Sequence, residues 1–331
     1  MQMVRFLGTA ALALTACNNL PQGMGTQSGI IVLAPDSVWA AVGDSMLTAL
    51  EPRIFTVRDE RTFEVTHVSP LDPAWHDLRR FRQIVTIGGA EDGWVQPALR
   101  RAGARDLAGG VAVVENVWAR NQMVYVIAVQ PAAPPDAALP WVEPVAESLD
   151  SIFRSAAIQR MYLSRPDTAL RDSLVRYHGF GLLLPNVYRP LQREPDVNLF
   201  QSSTQVGGTL VRSVLILEAV EPVPLTAQAV LDWRARAAAE HYRPAHITLR
   251  ERTETRELAV NGVPAIEVQG VWEGTDPGWP MGGPFMARVY RCPAGTFLVD
   301  TWLYAPGRPK YEFMIQLETL LDTFECGVTE P

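Results

Sequence analysis

The chain has 331 residues, 47% of them hydrophobic, with nine tryptophans and a formal net charge of −7. Such apolar content supports a substantial core and excludes general disorder. An acidic balance without a basic stripe excludes nucleic acid as a partner, because phosphate binding needs clustered cations.

In chain order, Met1 to Arg5 is short and weakly positive, Phe6 to Leu14 is apolar, and Leu14-Thr15-Ala16-Cys17 closes the run. The apolar stretch falls short of the roughly 20 residues that cross a bilayer. This order of regions is that of a secretory signal over residues 1–16. Small residues before a cysteine resemble the lipobox of bacterial lipoproteins. The resemblance implies lipidation of Cys17, carrying palmitate-type acyl chains, and attachment to the membrane through that lipid. One chain anchors only marginally, whereas several hold permanently. Asn18 follows the cysteine, not the aspartate that retains some lipoproteins at the inner membrane. The periplasmic side of the outer membrane is therefore the expected address within the cell envelope. Residues 17–28 are polar with Gly and Pro, which reads as a lipidated tether.

An N-terminal half is expected over residues 29–130. Gly29 to Ala34 reads as a buried strand. Asp36 caps a helix in which Val38, Trp39, Val42, Met46 and Leu50 recur at helical spacing until Pro52. Thr62 to Val68, Gln83 to Ile87, Val111 to Val117 and Met123 to Val129 read as strands, and Asp72-Pro73 as a helix start. Pro131 to Pro140 is the clearest break, and residues 131–177 form a proline-rich linker followed by connecting helices.

A C-terminal half follows over residues 178–326. It opens with a strand at Gly179 to Leu184, and Leu225 to His241 is helical. Asn261-Gly262 between apolar runs predicts a type I′ hairpin, since both residues tolerate positive φ. Arg288 to Arg291 and Thr296 to Leu303 are strand-like, and a helix from Pro309 to Phe324 closes the chain. Hairpins alternating with helices predict an α+β fold in two halves, each a mainly antiparallel sheet covered by helices. The second half is similar in order to PsbP-like α/β sandwiches, an analogy of fold that carries no function. Cys292 and Cys326 sit in a chain expected to be exported, so either they form a disulfide or they remain two separate thiols.

Several segments together resemble the domain-of-unknown-function 4837 family of bacterial envelope lipoproteins. They are Asp36-Ser-Val-Trp39 with Val42-Gly43-Asp44, Asn116-Val-Trp118-Ala-Arg-Asn-Gln122, Val271-Trp272-Glu273, Met281-Gly-Gly-Pro-Phe285, Leu303-Tyr-Ala-Pro306 and Lys310. The resemblance implies a lipidated envelope protein and no activity.

Candidate chemistry is sparse. Gly43-Asp44-Ser45 invites an envelope hydrolase or esterase reading, but the block falls inside a predicted helix and no histidine follows His246. A serine without a base in reach is unactivated. His67, His76, His178, His241 and His246 include no His-Glu-x-x-His spacing, so no metal site is expected, and no cofactor. Leu78-Arg79-Arg80-Phe81-Arg82 is a cationic cluster at a helix end, where it either complements the helix dipole or serves in binding. Trp272, Trp279, Met281, Gly282, Gly283, Pro284 and Phe285 form the candidate interaction surface, with Trp118, Gln122 and Lys310. Two readings stay open: a tight glycine turn locking a hairpin onto the core, or a rigid apolar lip for an envelope protein or apolar ligand. The function expected is a non-enzymatic binding or interaction module.

Overall fold

The computed structural model describes residues 20–103, 110–221, 223–278, 280–293 and 295–327, so the signal segment, Cys17 and Trp279 lie outside the described residues. The elements are β1 (Gly29–Leu33), α1 (Asp36–Leu50), β2 (Arg53–Ile54), β3 (Glu60–Arg61), β4 (Glu64–Val68), α2 (Trp75–Leu78), β5 (Gln83–Gly88), α3 (Gln96–Ala102), β6 (Gly110–Glu115) and β7 (Met123–Ala128). Then come α4 (Val142–Met161), α5 (Thr168–His178), β8 (Phe180–Gly181), β9 (Arg189–Arg193), β10 (Val197–Thr204), β11 (Leu210–Glu218) and α6 (Ala227–His241). The chain ends with β12 (His246–Val260), β13 (Val263–Gly274), β14 (Gly282–Arg291), β15 (Thr296–Tyr304), α7 (Tyr311–Asp322) and β16 (Glu325–Cys326). The chain divides into two compact units, residues 1–45 with 65–142, and residues 46–64 with 143–331.

The first unit holds a five-stranded sheet in the order β4-β1-β5-β7-β6. The α+β class holds, but the centre of this sheet is parallel: β1 pairs β5 and β5 pairs β7 in the same direction, while β6 runs antiparallel to β7. The reason lies in the strands themselves. Every residue of β1 and β5 is buried, as strands covered on both faces must be. Ile31, Leu33, Ile84, Leu99, Val124 and Val126 form the core. The segment expected to be a tether is in part docked: Gly23 N donates to Arg120 O and Arg82 N to Met24 O, at 2.9 and 3.0 Å. The proline-rich stretch also has structure, a 3-10 turn over Pro135–Trp141 that runs straight into α4.

The second unit holds a seven-stranded sheet, β12-β13-β14-β15-β11-β10-β9, antiparallel throughout. The hairpin at Asn261-Gly262 forms as its residues require, with φ of 51° and 79° and Val260 opposite Val263. On one face lie Phe200, Tyr290, Phe297, Met314, Leu317 and Phe324, with α7 contributing Met314 and Leu317. On the other lie Val230, Trp233, Trp272, Phe285, Leu298 and Trp302 under α6. Asp167 and Thr226 cap α5 and α6, accepting from Leu170 N and Ala229 N.

Residues 46–64 belong to this second unit for visible reasons. Glu60 binds Lys310 Nζ at 2.5 Å, Gln269 Nε2 donates to Phe55 O at 3.0 Å, and Phe63 meets Phe153 and Tyr311 edge-on. Cys292 and Cys326 are joined, with Cα atoms 5.5 Å apart and a sequence separation of 34. Closing such a loop stabilises the fold by roughly 3–4 kcal/mol on the chain-entropy model.

Candidate ligand-binding cleft

The apolar lip read from the sequence does not form. Trp272 and Phe285 have no exposed surface. Gly282, Gly283, Pro284 and Phe285 are the start of strand β14 and not a turn. Glycine is needed there for close approach: a Cβ on Gly283 would stand 1.8 Å from Leu303 O. Met281 is half-buried beside the α6-side core. Lys310 is spent on Glu60, through its backbone N as well as its Nζ.

Gln122 proves to be a buried clamp within the first unit. Its Oε1 accepts from Trp118 N at 2.8 Å, and its Nε2 donates to Arg79 O and Phe81 O at 2.8 and 2.6 Å. Trp118, half-buried, meets Trp75 edge-on at 5.2 Å. Both residues serve packing.

The hydrolase reading fails on geometry. Ser45 is exposed in the middle of α1, and no hydrogen bond joins it to a histidine among the described residues. His67 uses its Nε2 on Ala34 O at 2.9 Å and stacks on Trp39. Among the described residues, no three His, Cys, Asp or Glu side chains gather where a metal ion would sit. Nor is any described helix long and apolar enough to cross a membrane.

What the second unit does contain is a cleft of about 730 Å³ bounded by β9, β10, β11, β15 and the end of α6. This volume lies in the range of small-ligand sites. Trp233, Tyr242, Trp302, Leu199 and Leu217, each at most 8% exposed, back it with apolar side chains, and Gln192 and Gln201 supply hydrogen-bonding groups. At its mouth stand Glu194, Asp196, Glu218 and Glu240, all exposed, against the single arginine Arg243. The potential there is negative.

An aromatic and charged layer supports the wall. His246 stacks on Trp272 at 3.7 Å, and Trp302 meets His246, Trp272 and Tyr242 edge-on or tilted between 4.8 and 5.6 Å. Beneath them Arg234 and Asp300 form a fully buried pair at 3.4 Å, with Arg234 set 3.9 Å over the Phe285 ring. Tyr242 OH donates to Asp300 Oδ2 at 2.7 Å. Burial pushes the Asp300 carboxyl up, opposed by the Arg234 charge, and pushes the Tyr242 phenol well above its usual value. Burial, then the charge of Arg234, pushes the His246 imidazole down to about 2, so the ring is neutral. Asp300 is fully engaged and His246 touches only rings. The layer is therefore a rigid backing with no nucleophile–base pair in it.

Sequence reasoning passed over this site because its residues come from β9, β10, β11, α6 and β15 at no regular spacing. His241 and His246 stand in the sequence only as histidines without metal-ligand spacing.

No curated protein matches the chain. Cyanobacterial PsbP from Synechocystis sp. PCC 6803 is similar at 15% identity, covering 45% of this chain and 86% of that one, with a TM-score of 0.33. The Ran-binding protein Mog1p of Saccharomyces cerevisiae is similar at 12% identity, over 45% of this chain and 90% of that one, with a TM-score of 0.29. A Pseudomonas aeruginosa protein of unknown function is similar at 11% identity, over 45% and 91%, with a TM-score of 0.27. Likenesses this faint carry nothing about activity. Residues 169–323, all within the second unit, match the family described as Domain of unknown function (DUF4837).

Proposed function

We propose that this is a lipid-anchored cell-envelope protein that works by binding, and that the cleft of the second unit takes a cationic ligand with an apolar part, such as a basic peptide segment of an envelope partner. The observation that carries the binding reading is the cleft itself: tryptophan and tyrosine walls under a mouth with four carboxylates and one arginine. A cation over a tryptophan face gains about 0.5–2 kcal/mol, more as water leaves. The negative mouth steers cations inward and repels anions. The anchoring reading rests on the Leu14-Thr15-Ala16-Cys17 pattern.

Two experiments test these readings separately. Membrane fractionation of wild type against Cys17→Ala tests the anchor, and a fully soluble wild type contradicts it. Calorimetric titration with a lysine- and tryptophan-containing peptide tests the cleft. Glu218→Arg with Glu240→Arg is expected to weaken binding about tenfold or more, as removal of two steering charges at a partly desolvated site should. Equal affinity in the variant, or tighter binding of an acidic peptide, contradicts the cleft.

A further inference from the structure

The first unit contains a feature that the proposed function does not use. Strands β1, β5 and β7 run in parallel, so their starting ends, at Gly29, Gln83 and Met123, lie at one end of the sheet. The three segments that enter them are stitched together there. Arg120 N donates to Pro21 O at 2.8 Å and Gly23 N to Arg120 O at 2.9 Å. Met24 N donates to Arg80 O at 2.9 Å, and Arg82 N returns to Met24 O at 3.0 Å. Gln122 ties residues 79–81 to residues 118–122 from below.

This end is also where cations collect. Arg80 and Arg120 are exposed and Arg79 and Arg82 are half-buried. None of the four forms an ion pair among the described residues, and the Nε of Arg82 is buried without a partner. The carboxylates at this end are Asp72, which accepts from Ala74 N, the exposed Asp77, and the exposed Glu115 of β6, opposite Met123. Four arginines against three carboxylates leave the end positive, in a chain whose total charge is −7. Met24, 41% exposed, adds an apolar side chain on the strap itself.

Four peptide steps separate Cys17 from Pro21. Fully extended they span about 14 Å. If Cys17 carries lipid, as the anchoring reading holds, this end of the sheet sits within that distance of the bilayer, under two Debye lengths of about 8 Å each at physiological salt. We propose that the strand-entry end of the first unit is a membrane-facing surface, on which Arg79, Arg80, Arg82 and Arg120 bind the phosphate headgroups of anionic phospholipids. The strap from Pro21 to Gly25 converts a lipid tether into a fixed seat. The proposal rests on the anchoring reading, because only an anchor at Cys17 brings this end to the bilayer.

The test uses the lipidated full-length chain in vesicles containing a lipid-borne fluorescence quencher. A fluorophore goes on Asn121→Cys at the proposed seat, or on Glu91→Cys beyond the opposite end of β5. Both positions are exposed. The mass of the N-terminal peptide from the same preparation reads the anchor independently. In phosphatidylglycerol-containing vesicles the label at 121 is expected to be quenched strongly and the label at 91 weakly. Arg80→Gln with Arg120→Gln lowers the bias toward this end about 25-fold, at roughly fivefold per arginine, and 1 M salt or pure phosphatidylcholine also reduces it. Lipid present with equal quenching at both positions, or a bias untouched by the arginine changes, overturns the seat and leaves the anchor standing. An N-terminal peptide without lipid overturns both.

Discussion

The two faces of the seven-stranded sheet each bury an apolar cluster and put it to different use. On the α7 face, polar groups are spent on one another. Arg288, fully buried, donates to Glu267 at 2.6 Å and to Asp322 at 2.7 Å, and Tyr290 OH donates to Leu321 O at 2.7 Å. Arg154, Arg256 and Glu318 close the smaller hollow there, about 270 Å³, with ion pairs of their own. The Cys292–Cys326 bridge then pins the edge of this face. On the α6 face the charged pair lies deep, the rings stack above it, and a cleft stays open beside them. One face is sealed for stability and the other is backed rigidly so that a surface can recognise something.

The sharpest way to break this contrast is on the sealed face. Arg288→Met is expected to cost about 3–5 kcal/mol by urea denaturation, because Glu267 loses a buried partner. Removing both charges, as Arg288→Met with Glu267→Gln, should recover much of that loss. Next in size is the bridge: Cys292→Ala with Cys326→Ala is expected to lose roughly 3–4 kcal/mol, and a loss under 1 kcal/mol would show that the terminal strand holds without it.

On the α6 face the expected signature is a pH dependence. The unfolded chain takes up a proton on His246 below about 6.5, which the folded chain refuses down to about 2. A depressed histidine therefore leaves stability intact above the unfolded value and removes it as pH falls. Between pH 7 and 5 wild type should lose about 2 kcal/mol more than His246→Phe. Equal slopes would place a protonated, solvated imidazole there. The raised carboxyl of Asp300 acts in the opposite direction, and it is common to both proteins. Smallest in stability is the mouth: Glu218→Arg and Glu240→Arg should stay within about 0.5 kcal/mol of wild type, which keeps their effect on binding interpretable.

Much of the fold was legible, and the failures have physical causes. Asn261-Gly262 announced its hairpin because few residue pairs accept two positive φ angles. The apolar run of β1 and the Ile84, Val85 and Ile87 of β5 carried their burial, but periodicity says how a strand is covered and not which way its neighbour points. Gly282-Gly283 misled because glycine serves either a positive φ or a close approach, and here it serves the approach to Leu303 O. Gln122 stood out as one residue of a family-like segment, yet its role as a clamp depends on carbonyls some forty residues away. The cleft was not legible at all, since its walls come from both ends of the second half.

The most direct test of the account follows the tryptophan indole N–H signals by NMR while a lysine- and tryptophan-free basic peptide (arginine- and phenylalanine-containing) is added to the full chain. The account predicts saturable shifts for Trp233 and Trp302, which line the cleft, with Trp75 and Trp118 unmoved. Saturable binding that leaves Trp233 and Trp302 in place, or no difference between this peptide and its acidic counterpart, would contradict it.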